Sequence, residues 1–424
     1  MTERLDEGVW QEVPSPFCGI ASDDLTINVS GQKVSVVENG DALTIAGFET
    51  PITDTSPRVN GEEVSLAEAV DHIADLLRDS QQTVISGLGT DLNGARAAMA
   101  LADKNRATVD HMNSTGAFRN LLVLQDTGWM NTTLAEVKNR VDLLLVVGSD
   151  IEVGYPRFFE RMVWPENTLF GQDIESRDVI YLGKAPSGDA STSPAGKKAE
   201  VIACDDADLP EVLSVLRALV AGRFLQAEQV GGIAISDLTA LAARLKQAKY
   251  SVVTWSASML DFEHAEATVQ TICEMVKDLN AETRSSGLPL GGKDGDTTVN
   301  QVSAWQSGYP MRTNFNRGYP DYDPYLSDSL RMLKDGEVDT LLWVSSFDIQ
   351  RTPPSSSAIT VVLGRSGMTF EQEPAVFIPV GTPGIDHEGR GFRTDSVVAM
   401  PLRKLRDSGL PSTFEILSAV EQAL

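Results

Sequence analysis

The chain reads as an α/β protein built from two related doubly wound units behind a small N-terminal β-rich segment. Three features of the sequence predict this. Short apolar runs alternate with stretches of helical period, the pattern of strand–helix–strand folds. Two of those runs, at 141–150 and 338–349, are mostly apolar and close on polar residues, as strands buried on both faces do. The second half then repeats the strand pattern of the first. The expected boundaries are 1–62 for the N-terminal segment, 63–235 for the first unit, and 236–424 for the second with a C-terminal strand and loops. A length of 424 residues fits more than one core.

Taken in order, residues 25–61 look β-rich, with β-branched Val34-Ser35-Val36-Val37 ahead of the turn residues Glu38-Asn39-Gly40-Asp41. Ser65-Leu66-Ala67-Glu68 is a capping box, and Leu66, Val70, Ile73 and Leu77 follow at helical spacing. Thr83-Val84-Ile85-Ser86 is a strand, Gly87-Leu88-Gly89 is expected to break it, and 93–105 is Ala-rich and helical. Thr133-Leu134-Ala135-Glu136 is a second capping box leading to the apolar run at 141–150. A strand follows at 179–182, a Ser/Gly/Pro-rich loop at 186–198 and a helix at 209–223. The run at 338–349 echoes 141–151, and Val362-Leu363-Gly364 echoes Tyr181-Leu182-Gly183. Residues 251–255 and the helix at 264–280 parallel the chain from Thr83 onward.

Hydrophobic residues make up 42% and charged residues 22%, ordinary for a globular chain. The net charge of −25 argues against nucleic acid as a partner, because phosphate binding needs clustered Lys and Arg. No segment offers the roughly 18 apolar residues of a membrane span. Residues 1–11 carry mixed charge and no apolar core, so no signal peptide is expected, and three scattered cysteines do not make a disulfide framework. The expected compartment is the cytoplasm.

The segment Ser15-Pro16-Phe17-Cys18-Gly19-Ile20-Ala21-Ser22 has the shape of an iron–sulfur loop, with serines where spacing would put two more thiolates. Gly87-Leu88-Gly89 could aim N–H groups at a phosphate, but the third glycine of the fingerprint is missing, since Gly94 comes too late. His111 has no second histidine at ligand spacing and is expected to be buried and hydrogen-bonded. The Tyr/Pro cluster at 309–325, with Arg312 and Arg317, suits either a pocket or interface lining or a stiff surface loop. The glycine-rich stretch at 381–395 permits close backbone approach, and Arg390, Arg393 and Asp395 could bind an anion or pair internally, the internal pair being the favoured reading. Cys204 and Cys273 are expected in the core. No Ser-His-Asp spacing, Walker A sequence or zinc signature is present.

Residues 15–24 together with Asp110-His111, Gly318-Tyr319-Pro320, Gly384-Ile385, Arg393-Thr394-Asp395, Pro401-Leu402-Arg403 and Leu410-Pro411-Ser412 resemble the B subunit of formylmethanofuran dehydrogenase. The resemblance implies a fold of the molybdopterin oxidoreductase/formate dehydrogenase type. It also implies that the positions of the family's metal-binding Cys and its His are held here by Gly116 and Ala117, and that of its arginine by Gly291. With Ser15 and Ser22 flanking a lone Cys18, the cluster ligands are missing too. The chain therefore resembles more narrowly the B subunit of the formyltransferase/hydrolase complex of methylotrophs. That implies a non-catalytic component with no cofactor and no metal, beside an amidohydrolase-like A, a β-helical C and a formyltransferase D subunit, as a dimer of heterotetramers. That complex moves a formyl group from formyl-tetrahydromethanopterin to methanofuran or methylofuran and hydrolyses it to formate. The rivals are the B subunit of an active molybdenum or tungsten bis-pterin formylmethanofuran dehydrogenase and a stand-alone pterin- or anion-binding protein.

Overall fold

A computed structural model of the chain describes residues 8–20 and 22–424. Residues 1–7, most of the mixed-charge N-terminal stretch, and Ala21 of the cysteine loop lie outside the described residues. The fold is α/β, as expected, but its division is not the tandem one. One compact unit comprises Met1–Ser114 with Gly292–Leu424, and the other is Thr115–Gly291. The expected boundary at 235/236 falls inside the second unit, and strand pairing explains why.

In the Thr115–Gly291 unit five parallel strands run in the spatial order Glu200–Ala203, Asp178–Gly183, Leu143–Val147, Ser251–Trp255, Ser285–Pro289. Numbered along the chain this is 3-2-1-4-5, the order of open sheets whose first and fourth strands diverge at a switch point. Leu143–Val147 and Ser251–Trp255 are direct neighbours, so a cut at 235/236 would separate adjacent strands. All five residues of each are buried, and helices Leu209–Val220, Ile235–Gln247 and Ala265–Leu279 complete that core.

The other unit contains a nine-stranded sheet. Its parallel centre runs Thr108–Val109, Thr83–Gly89, Thr340–Ser345, Ile359–Arg365, Val376–Val380. Short antiparallel pairs extend both edges, Thr313–Asn314 with Asp321–Tyr322 and Arg58–Val59 with Glu62–Glu63. Laying Thr340–Ser345 on Leu143–Val147 and Thr83–Gly89 on Ser251–Trp255 superposes the two five-strand orders. The repeat read from the sequence therefore holds strand for strand, but circularly permuted. Here the chain lays down the last two strand positions first, inserts the whole other unit, and then returns for the first three.

The N-terminal segment is an antiparallel meander of Gly8–Val13, Leu25–Ser30 and Lys33–Glu38, followed by a helix, Ala42–Glu49, that the β-rich reading did not contain. Asp41 starts that helix by accepting the Thr44 N–H at 2.9 Å. The segment is not separate, because Val13, Leu25, Ile27, Val34 and Phe48 share one core with Ile385 and Leu405. The Ser65 capping box forms in full, Ser65 N donating to Glu68 Oε2 at 2.9 Å and Glu68 N to Ser65 Oγ at 3.3 Å. Thr133 caps Leu134–Arg140 through its hydroxyl, which accepts the Glu136 N–H at 3.2 Å. The C-terminal helix Thr413–Ala423 packs on Leu92–Asn105 and Leu66–Asp79.

Candidate functional site

The cysteine loop closes on itself. Ser15 N donates to Ser22 O at 2.7 Å, bringing the two serines together as a cluster loop would require. Their chemistry is that of packing, not ligation. Ser15 Oγ shares a hydrogen bond with Thr44 Oγ1 at 3.1 Å and accepts Phe17 N, and Ser22 Oγ is buried without a partner among the described residues. Cys18 is buried, and Phe17 is wedged edge-on between Phe48 and Phe347.

Beside the loop remains a cavity of about 30 Å³, lined by Ser15, Cys18, Thr90, Asp91, Gly292 and Gly295 among others. That is room for a water or two, not for a cluster. Close backbone approaches shrink it. A Cβ at Gly292 would lie 2.8 Å from Gly19 Cα, and one at Gly295 would lie 2.5 Å from Thr90 O. A Cβ at Gly389 would meet Asp91 Oδ2 at 2.9 Å, and Thr394 N donates to Gly19 O at 2.8 Å. The glycine-rich C-terminal stretch does approach something closely, and that something is its own unit. Arg393 and Asp395 form the internal ion pair expected of them, with contacts of 2.9 and 2.6 Å.

Gly87-Leu88-Gly89 is not a break. The strand runs through Gly89 with a bulge opposite Trp343 and Ser345, and Leu88 takes a left-handed φ of 54°. Ser346 closes the strand tips by donating both N and Oγ to Gly89 O, at 2.7 and 2.6 Å. The next helix, Leu92–Asn105, is capped by the Asp91 carboxylate, which accepts Gly94 N at 3.0 Å. A carboxylate already holds the position a phosphate would take. The sequence reading missed Asp91, although Asp91 ahead of an Ala-rich helical run is a recognisable N-cap signal.

His111 is buried, as expected. Nδ1 accepts Asn113 N at 2.9 Å, which places the proton on Nε2, 3.2 Å from Asp294 O. Burial, opposed by the Asp294 carbonyl and assisted by the Arg351 charge, pushes its pKa down to about 3, so the ring is neutral. Asp294 sits at a left-handed φ of 52° in the tight turn from Gly292 and pairs with Arg351 at 3.2 Å. Half-buried Asp296 accepts Gly292 N at 2.8 Å, and burial raises its carboxyl pKa to about 6.

In the Thr115–Gly291 unit, Gly116 is buried against Ser258, and a Cβ there would lie 2.9 Å from Ser258 Cα. Ala117 is half-buried next to it on the same helix. Leu290 N donates to Trp255 O at 2.7 Å, so Gly291 is the exit of this unit. The switch point between Leu143–Val147 and Ser251–Trp255 is closed by Ser256 N donating to Ser149 Oγ at 3.0 Å. The 186–198 loop is held there by two carboxylates. Asp150 Oδ2 accepts Ser187 N at 3.0 Å, and Glu152 Oε1 accepts Ser191 N at 2.8 Å. Acids thus occupy the strand ends where an anionic cofactor would place its phosphates.

The Tyr/Pro cluster is a stiff loop. Tyr309 stacks on Tyr322 at 5.3 Å, and buried Arg312 bridges Asp110 and Asp328 while donating to Pro324 O at 2.6 Å. Burial raises the Cys273 thiol to about 12, and burial with the neighbouring Asp208, Asp205 and Asp206 raises Cys204 to about 11. Neither supplies a thiolate readily. Among the described residues no three His, Cys, Asp or Glu gather as metal ligands, and no helix is long and apolar enough to cross a membrane.

The permuted sheets define an α/β protein in which carboxylates and hydroxyls of the chain itself hold the strand ends. No protein-family model matches the chain. It is 26% identical over 428 residues to the B subunit of the tungsten-containing formylmethanofuran dehydrogenase 2 of Methanococcus maripaludis, covering 96% of this chain and 97% of that one. It is 29% identical over 328 residues to the B subunit of the formyltransferase/hydrolase complex Fhc of Methylorubrum extorquens, covering 77% of this chain and 85% of the relative. The crystal structure of that organism's complex FhcABCD with methylofuran contains a chain that matches with a TM-score of 0.74 and 26% identity, over 87% of this chain and 98% of that one. The chain is a homologue of these B subunits, as its landmarks implied.

The sequence resemblance implied iron–sulfur and metal–pterin groups, and the residues present do not fit them. A four-iron cluster needs four thiolates. The loop offers Cys18 with two hydroxyls, one of them already bonded to Thr44. Gly116 offers no donor atom and no room for one.

Proposed function

We propose that this chain is the non-catalytic, structural B subunit of a formyltransferase/hydrolase complex. In that reading it is a scaffold for an amidohydrolase-like A, a β-helical C and a formyltransferase D subunit, in a cytoplasmic dimer of heterotetramers. The complex would transfer formyl from formyl-tetrahydromethanopterin to methanofuran or methylofuran and release formate. The fold in this reading is a pair of doubly wound units of the molybdopterin oxidoreductase/formate dehydrogenase type, one permuted around the other.

One observation carries the reading. The Ser15–Cys18–Ser22 loop is bonded internally and leaves only about 30 Å³ beside it. A scaffold role asks only that packing survive, and packing has. The rival reading, a working tungsten or molybdenum enzyme, rests on the names of two relatives. It would need thiolates and a metal ligand that these residues do not supply.

Elemental analysis of purified protein should find molybdenum, tungsten and iron all far below one atom per chain. Co-expression with A, C and D subunits should yield a complex by native mass spectrometry that loses integrity when this chain is omitted. Stoichiometric metal, or full assembly and activity of A, C and D alone, would overturn the proposal.

A further inference from the structure

Arg406 is 4% exposed, and its guanidinium is only partly engaged. Nε donates to Asp386 Oδ1 at 2.7 Å and Nη1 to Gln32 O at 2.9 Å. Nη2 has no partner among the described residues, yet it is not sealed from solvent. Arg406 lines a pocket of about 620 Å³ beside the N-terminal meander, a size in the ~300–1,000 Å³ range of small-molecule sites. Lys33 lines the same pocket, is exposed, and has an ammonium without a partner among the described residues. The Thr55 hydroxyl on its wall is likewise uncommitted among them. An immobilised guanidinium, its charge paired with Asp386, and a spare ammonium thus line one opening that also carries the Glu49 carboxylate.

We propose that this pocket binds a small organic monocarboxylate, its oxygens on Arg406 Nη2 and Lys33 Nζ and its apolar body against Val34, Pro51 and Ile52. Two features choose a carboxylate over a phosphate. The wall formed by Val34, Pro51 and Ile52 gives no return to a bare inorganic ion but removes an organic body from water. Glu49 also stands on the wall, one carboxylate oxygen held by Val36 N at 3.0 Å, and its charge penalises a dianion more than a monoanion. The Arg406 fork is held in place by Asp386 and Gln32, so little rotamer freedom is lost on binding. The site is unrelated to the cofactor positions and does not rest on the scaffold reading.

The test is calorimetric titration of the full chain with 4-phenylbutyrate, with inorganic phosphate as the comparison probe. The carboxylate should bind saturably at one site, at least tenfold more tightly than phosphate. Lys33→Glu should weaken it at least tenfold, and Ile52→Asp should do so without changing the far-UV spectrum. Both positions are off the Arg406–Asp386 pair, so the fold is not at stake. Absent saturable binding, binding unchanged in Lys33→Glu, or phosphate binding as tightly as the carboxylate would each overturn the proposal.

Discussion

Gly116 is a position where one added carbon decides between packing and chemistry. Its Cα faces the Ser258 backbone so closely that any side chain must push Ser258 away. Gly116→Cys, which adds a thiol at this position, should destabilise the protein by about 1–3 kcal/mol through overpacking. It should also bring no molybdenum or tungsten with it. Denaturant midpoints and metal content check both halves. His111 makes the complementary case of a catalytic-looking residue with a structural task. His111→Leu leaves Asn113 N–H and the Asp294 carbonyl without their partner, at a cost of about 1–3 kcal/mol. Because its folded pKa lies below the unfolded ~6.5, the unfolded chain binds the proton first, and this residue costs stability as pH falls from about 6.5 toward about 3. Two-dimensional spectra of the imidazole should show it neutral down to pH 4. A ring that titrates near pH 6.5 would contradict the buried, doubly bonded geometry.

At the scale of elements, the turn Gly292–Gly295 into the helix Asp296–Ser307 carries an opposite pH dependence. The folded Asp296 carboxyl, at about 6, lies above the unfolded ~3.9, so the folded chain holds the proton more tightly. Stability from this group therefore falls as pH rises from about 4 to about 6. Asp296→Asn keeps an acceptor for Gly292 N and should flatten that window, read as the difference between variant and parent denaturant midpoints at pH 4, 5, 6 and 7. At the C-terminus, Ser412→Ala removes the cap of Thr413–Ala423, where Glu415 N donates to Ser412 Oγ at 3.2 Å. The expected loss is about 1 kcal/mol, seen as a lower unfolding midpoint. Elements of this kind were legible in the sequence because their causes are local. The Ser65 cap, the apolar strand at Leu143–Val147 and the helix Ala265–Leu279 all stand within two or three residues of where periodicity and capping put them. Gly87-Leu88-Gly89 was not legible, because its two positive-φ residues belong to a bulge set by the partner strand Thr340–Ser345, far away in sequence. Asp91 and the glycine contacts around it were hidden for the same reason, since nothing near Gly389 in the chain names Asp91 as its neighbour.

At the scale of the whole molecule, the repeat could be read but its wiring could not. Matching Val141 onward with Val338 onward identifies equivalent strands, whereas pairing is decided by which strands share a sheet, and here Leu143–Val147 pairs with Ser251–Trp255. A chain cut between 235 and 236 should give two fragments that are insoluble or unfolded, since the cut divides both parallel sheets. Thr115–Gly291 expressed alone should be soluble and unfold cooperatively, because all five strands of its sheet lie within it. Circular dichroism and analytical gel filtration of the three fragments test this, and folded halves from the 235/236 cut would refute the interleaved topology. Permutation also sets a timetable for synthesis. Gly89 meets its partner Ser346 across a separation of 257 residues. At roughly 5–20 residues per second on the ribosome, the Thr83–Gly89 edge waits roughly 10–50 s with its backbone groups unclaimed. The inserted unit can finish folding during that wait, so the nascent chain's exposure to chaperones and to aberrant strand addition is concentrated in the outer unit, in the interval before Thr340–Ser345 emerges.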